Sequence, residues 1–115
     1  MVAASSSTAF FDALAEQGPN PLLARTTGTI RCDLANGGDI EYVLVAIDKG
    51  VITVSYAKRD ADAIVRCDRE LFDGITSGRI NVMAALLRGV IDVEGDLNLL
   101  SRFQKVFPGP PRVAS

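Results

Sequence analysis

"TGTIRCDLANGGDIEYVLVAIDKGVITVSYA", residues 27–57, decides the fold class of this 115-residue chain. Polarity alternates through its first nine residues: Ile30, Cys32 and Leu34 fall on one side of an extended backbone, Thr29, Arg31 and Asp33 on the other. Successive strand side chains point to opposite faces, so this is a strand with one face in water. Asn36-Gly37-Gly38-Asp39 reads as a hairpin turn, because Asn and Gly take positive φ at little cost. "IEYVLVAID" (40–48) is apolar on both faces at its centre and reads as an interior strand. Lys49-Gly50 is a second tight turn, and "VITVSYA" (51–57) a third strand. Neither turn is long enough for a crossover, so strands near 28–35, 39–48 and 50–57 form an antiparallel meander.

The pattern continues on both sides of the meander. Upstream, Thr8 is placed to cap a short helix running through Gln17, which buries Phe10, Phe11 and Leu14 and ends at Gly18-Pro19. Downstream, the charged stretch 58–62 leads into a fourth strand, "AIVRCD" (63–68). Asp68 is placed to cap the helix "RELFDGITSG" (69–78), whose apolar side holds Leu71, Phe72 and Ile75. Gly74 inside it reads as a bend or an early end, since glycine costs about 1 kcal/mol relative to alanine in a helix. Asn81 caps "VMAALLR" (82–88), which Gly89 stops, and "VIDVE" (90–94) is a fifth strand. Asp96 caps the last helix, which runs to Phe107 with Leu100, Phe103 and Phe107 inward at i, i+3 and i+7. This order of elements is α+β, with helices gathered on one face of a mostly antiparallel sheet. The 115 residues read as one domain, with 1–7 and 109–115 as loose tails.

Composition removes several function classes. Twelve basic and 14 acidic residues leave a net charge of −2, which argues against a nucleic-acid partner. Apolar runs such as "YVLVAI" (42–47) are strand-length and too short to span a bilayer, so no transmembrane segment is expected. The first residues lack the basic and continuous apolar regions of a signal peptide, so the chain is expected in the cytoplasm. Cys32 and Cys67 are then expected to be reduced, buried, small hydrophobes. The chain has no histidine, which removes the commonest general base, nucleophile partner and zinc ligand. It also has no CxxC pair and no Gly-rich phosphate loop between a strand and a helix. No catalytic residue, metal or cofactor is expected, and the chain is not read as an enzyme.

The surplus is apolar. Residues 71–107 together with Phe10, Phe11 and Leu14 carry many large hydrophobic side chains that one sheet face must accept; they read as simple core before a ligand cavity, and periodicity does not separate a filled interior from a hollow one. In "LFDGITSGRINVMAALLRGVIDVEGDLNLLSRFQKVFP" (71–108) they come in a particular order. Gly78-Arg79-Ile80-Asn81 is followed by a short helix with Ala85 at its centre and Gly89 at its end. An alternating strand then leads to Gly95-Asp96 and a Leu-rich helix with Leu100 and Phe103. This ordered set resembles the C-terminal half of the sterol carrier protein family of lipid-binding domains. The resemblance spans about 30–107 and is strongest over 71–107.

The resemblance implies a five-stranded mixed sheet in the order 3-2-1-4-5, with the fourth strand beside the first, and helices covering one face over an apolar tunnel. It implies binding or transfer, without chemistry, of a lipid-like apolar molecule such as a fatty acid, acyl-CoA or sterol. Leu71, Phe72, Ile75, Met83, Leu86, Leu87, Leu100, Phe103 and Phe107 are the candidates for the lining. Two departures stand out. The C-terminal Val113-Ala114-Ser115 is not the family's peroxisomal signal, which points to a stand-alone cytoplasmic version. "VMAALLRG" (82–89) has no aromatic where many members carry one, which bears on pocket size. The alternative is an accessory module with a filled core, docking on a partner enzyme or forming a homodimer through apolar surface on its first or last helix.

Overall fold

The structure, a computed structural model, describes residues 6–107. The elements are α1 (Ser6–Glu16), a 3-10 turn (Pro21–Leu23), β1 (Thr27–Asn36), β2 (Asp39–Asp48), β3 (Val51–Ser55) and β4 (Ala63–Asp68). They continue with α2 (Arg69–Thr76), α3 (Val82–Leu87), β5 (Asp92–Gly95), α4 (Leu97–Phe103) and a closing 3-10 turn (Gln104–Val106). One five-stranded sheet has the order β3-β2-β1-β4-β5, as the family resemblance implies. Of the tails expected at 1–7 and 109–115, all but Ser6 and Ser7, which open α1, lie outside the described residues.

The meander pairs in full register. Thr27 lies opposite Asp48 and Asn36 opposite Asp39, and β3 adds antiparallel to β2 from Asp48–Val51 to Leu44–Ser55. β4 instead runs parallel to β1, from Ile30–Ala63 to Ala35–Asp68. Parallel neighbours usually need a long connection that carries the chain back along the sheet. Here residues 56–62 suffice, because β3 and β4 are staggered. Ser55 is level with Leu44 and hence Arg31, while Ala63 is level with Ile30. The segment has only to step sideways across β2 and β1. It does so on the face away from the helices. There Arg31 Nη1 donates to the Arg59 carbonyl (3.1 Å), Thr29 N donates to the Asp62 carboxylate (2.9 Å), and Asp62 N donates to Thr29 Oγ1 (3.1 Å). Arg31 and Lys58 also lie 5.5 and 5.2 Å from the Tyr42 ring centroid, within cation–π range. Arg31 Nε and Nη2 fork onto the buried Asp33 carboxylate at 2.7 and 3.0 Å, the bidentate geometry that makes such pairs strong.

The other face carries the core. Ile30, Cys32 and Leu34 of β1 meet Val43, Val45 and Ile47 of β2, Ile52 of β3, and Ala63 and Cys67 of β4, all buried. The helices bring Phe11, Leu14, Phe72, Ile75, Leu99 and Phe103 down onto them. All five phenylalanines of the chain form one contact chain, Phe103–Phe107–Phe72–Phe11–Phe10, closed by Phe10 stacking on Phe107 at 4.9 Å. Among the described residues no helix is long and apolar enough to cross a membrane.

Several local expectations are corrected. α1 begins before Thr8, whose hydroxyl accepts from Arg69 Nη2 (3.0 Å) instead of capping the helix. Asp68 stands at the N-cap of α2 with extended backbone, but its side chain makes no capping bond. Gly74 is neither a bend nor an end. α2 runs through it to Thr76, and a Cβ there would collide with the Ile80 side chain that packs on it. β3 stops at Ser55, and β5 starts at Asp92, because Ile91 turns into the core. In α4 the fully buried pair is Leu99 and Phe103, with Leu100 half-buried. The caps at Asn81 and Asp96 form as expected: Asn81 Oδ1 accepts from Met83 N and Ala84 N, and Asp96 Oδ1 from Leu99 N.

Gly95 carries the tightest backbone approach. It sits at φ +92°, a Cβ would run into the Asp62 carbonyl, and Asp96 N donates to that same carbonyl at 2.8 Å. Gly95→Ala is expected to destabilise the protein by about 1–3 kcal/mol from the left-handed backbone alone, with the collision adding to it. Urea denaturation measures this; a loss below about 0.5 kcal/mol would count against the approach described.

Candidate ligand cavity

α3 is only six residues long, and its one fully buried side chain is Ala85. Alanine fills little of the space beneath a helix, and Val82 and Leu86 only partly make up for it. A cavity of about 310 Å³ is left between α3, α4 and the β4–β5 end of the sheet. Its floor is Cys32 and Val65, with Val93 and Ile91 at the sheet edge. Phe72 and Ile75 of α2 close the inner wall, together with Phe103 and Phe107. Val82, Met83 and Leu86 come from α3, and Leu97, Leu100, Ser101 and Gln104 from α4 and the turn after it. The inner residues are buried, whereas Met83 (48% exposed) and Leu97 (60% exposed) mark the open side. The lining is apolar but for Ser101, Gln104 and the Cys32 thiol.

The profile of the SCP-2 sterol transfer family matches residues 11–108, nearly the whole described chain. The chain belongs to this family. The match reaches back into α1, further than the resemblance over 30–107. Solved structures of sterol transfer proteins share the fold. The sterol carrier protein domain 2 of Helicoverpa armigera superposes with a TM-score of 0.73 at 19% identity, over 89% of this chain and 85% of its own. The palmitated SCP2L2 of Aedes aegypti superposes with a TM-score of 0.63 at 20% identity, over 85% of this chain and 84% of its own. The inverting sec-alkylsulfatase Pisa1 of Pseudomonas sp. also matches, with a TM-score of 0.69 at 20% identity; 87% of this chain covers only 16% of that one. No curated protein sequence matches the chain.

Within this sterol-transfer fold the residues proposed for the lining divide. Phe72, Ile75, Met83, Leu86, Leu100, Phe103 and Phe107 come together around the cavity. Leu71 and Leu87 do not. Leu71 is turned about 100° from Phe72 on α2 and packs, half-buried, against the core elsewhere. Leu87 ends α3 and is 86% exposed. Sequence reasoning missed the sheet's share, Cys32, Val65, Val93 and Ile91, along with Val82, Leu97, Ser101 and Gln104. Two signals point to most of them. Cys32, Val65 and Val93 are level with one another across β1, β4 and β5. Leu97, Leu100, Ser101 and Gln104 fall at i, i+3, i+4 and i+7, one face of a helix. The family's ordered glycines act as punctuation: Gly89 (φ +74°) ends α3 and Gly95 begins the approach to α4.

Both thiols are buried, and neither is in a disulfide. Burial pushes Cys32 far above the ordinary thiol range, and the nearby Cys67 and Asp33 add to the shift. Burial, helped by the Asp68 charge, pushes Cys67 up to about 12. Neutral thiols at neutral pH are poor nucleophiles. Their titration also bears on stability. In the unfolded chain a thiol ionises near pH 8.5, whereas in the folded chain both stay protonated well above that. The folded state therefore holds more protons in this window, and stability falls as pH rises. Between pH 9 and 10 the loss should approach about 1.4 kcal/mol per thiol. Denaturation of the wild type and of Cys32→Val/Cys67→Val at both pH values checks this; with both thiols removed, the variant's loss should be smaller by most of about 2.8 kcal/mol.

The Phe103 ring borders both core and cavity. Phe103→Ala in a filled core costs about 3–5 kcal/mol. Here part of the ring already faces free volume, so a smaller loss is expected, with altered uptake of a fluorescent fatty acid. A full-sized loss with unchanged uptake by the folded variant would show that the ring does not border usable space.

Proposed function

We propose that this domain binds a lipid-like apolar molecule in the cavity beneath α3 and α4, without chemical change, and holds or hands it on. The observation that carries the reading is the cavity itself: an apolar space reached past the exposed Met83, Val93 and Leu97, in a chain of the sterol transfer family. At about 30 Å³ per water-sized group, it has room for roughly ten such groups before any adjustment. Each methylene moved there from water gains about 0.8 kcal/mol, enough for useful affinity from shape and desolvation alone. The mosquito relative that carries palmitate supports an acyl chain as one class of occupant.

Phe72, Ile75, Met83, Leu86, Leu100, Phe103 and Phe107 are the proposed contacts, with the floor of Cys32 and Val65. The lining supplies no general base, and its one thiol is held protonated, which favours a carrier over an enzyme. A cytoplasmic location, where buried cysteines stay thiols, is part of the proposal. A docking module with a filled core has no use for this space.

The test is to purify the protein under native conditions, extract it with organic solvent and identify the extract by mass spectrometry, alongside titration with a fluorescent fatty acid. An apolar molecule near one per chain, displaced by the probe, is the expected result. Empty extracts from repeated preparations, with no saturable uptake, would overturn the proposal.

A further inference from the structure

We infer that the rim of the cavity docks on the surface of a membrane that carries anionic lipids, so that an apolar ligand passes between bilayer and cavity without crossing water. The inference goes beyond ligand binding and rests on the lipid-binding reading for the cargo. Met83 of α3, Val93 of β5 and Leu97 of α4 line the cavity and are also exposed at its opening. Leu87, the most exposed of the large apolar residues described, is four residues after Met83 and therefore beside it on α3. Three elements thus contribute to one apolar rim, and the lining it continues into holds no charged residue. The other exposed large apolar side chains described are scattered: Leu22 in the groove beside α1, Ile40 and Val90 on the opposite sheet face, Val51 and Tyr56 at the two ends of β3.

The charges around the rim suit an anionic surface. Arg79 precedes α3, Arg88 follows Leu87 at its end, and Arg102 stands on the outer side of α4. All three are exposed, and none forms an ion pair among the described residues. The carboxylates of the same stretch point away or are occupied. Asp92 and Glu94 lie on the face of β5 opposite to Val93, Asp92 in the groove there and Glu94 paired with Arg66 at 2.7 Å. Asp96 caps Leu99 N. A rim of this kind buries its apolar side chains at the headgroup boundary while the long arginines reach lipid phosphates and carboxylates. α1 offers no such surface. Phe11 and Leu14 are buried, Phe10 stacks on Phe107, and the exposed side carries Asp12 and Glu16 with no cation.

Co-sedimentation of the full chain with phosphatidylcholine vesicles, with and without phosphatidylserine, tests this. The wild type should bind the anionic vesicles, less so as salt is raised, and the neutral ones at least about tenfold more weakly. Leu87→Gln removes apolar surface outside the cavity lining and no charge; it should weaken anionic binding about tenfold. Arg88→Gln should weaken it about fivefold, an effect that shrinks in high salt. Both variants should take up a fluorescent fatty acid in solution as the wild type does. The chain has no tryptophan, so one introduced indole reports its own surroundings. The emission of Leu87→Trp should shift to the blue on anionic vesicles, and that of Ala9→Trp, on the exposed side of α1, should not. Absent vesicle binding, full binding by Leu87→Gln, or a shift in Ala9→Trp without one in Leu87→Trp overturns the docking inference and leaves the lipid reading standing. A wild-type dimer in sedimentation equilibrium that Leu87→Gln dissociates, with no vesicle binding, overturns it in favour of a contact between two copies. Failure of the wild type to take up the fatty acid at all overturns the lipid reading itself.

Discussion

The two-sided pairing of β1 is the constraint on which the rest of the structure depends. On one edge it takes β2 antiparallel over its full length, and on the other β4 parallel from Ile30 to Ala35. A hairpin can make the first pairing, but the second needs a crossover. The short third strand makes that crossover cheap by ending level with the start of β4. Thr29, Arg31 and Tyr42 then hold segment 56–62 across the open face. Once β4 is beside β1, the chain must leave for α2 on the other face, and every later element follows from that departure.

The helical layer is joined by aromatic contact, not by regular helix packing. Phe10 and Phe11 of α1, Phe72 of α2, Phe103 of α4 and Phe107 just beyond it touch in sequence, so three helices share one rigid seam. α3 stands outside it. It carries no aromatic, buries only Ala85 and is fixed by its Asn81 cap. Beneath a helix anchored at its end and filled by alanine, the gap remains. Packed cores leave few voids larger than a water molecule, so a cavity of about 310 Å³ lined by large apolar side chains needs a reason. The proposed binding of an apolar molecule supplies one.

The same surface explains the polarity of the site. α4 presents a mixed face, with Leu100 toward the apolar interior, Leu97 at the open side, and Ser101 and Gln104 on the next turn. Charged residues interleave with these in sequence, but the helical period carries Arg102 and Lys105 off the cavity side. A strand of the same composition would alternate with period 2 and divide these residues differently between its faces.

Local chemistry alone determined the meander, both of its tight turns, the Asn81 and Asp96 caps and the stops at Gly89 and Gly95. Each depends on a few neighbouring residues: an Asn-Gly pair that accepts positive φ, a side-chain oxygen within reach of free N–H groups, a period of two. Most of the aliphatic and aromatic lining on the helices was legible too, because a helix's apolar stripe must face the sheet. Only the tertiary structure decided the rest. Whether Leu99 or Leu100 packs down on β1 depends on Gly28, which leaves room for Leu99 and would crowd it with a Cβ at 2.8 Å. Whether Gly74 bends α2 depends on Ile80, six residues away, packing on it. Leu87 stays in solvent because α3 ends there, and Cys32, Val65 and Val93 become one floor only when three distant strands align. Periodicity reports which way a side chain points; what it meets there, another side chain or an empty space, is set by elements far away in the chain.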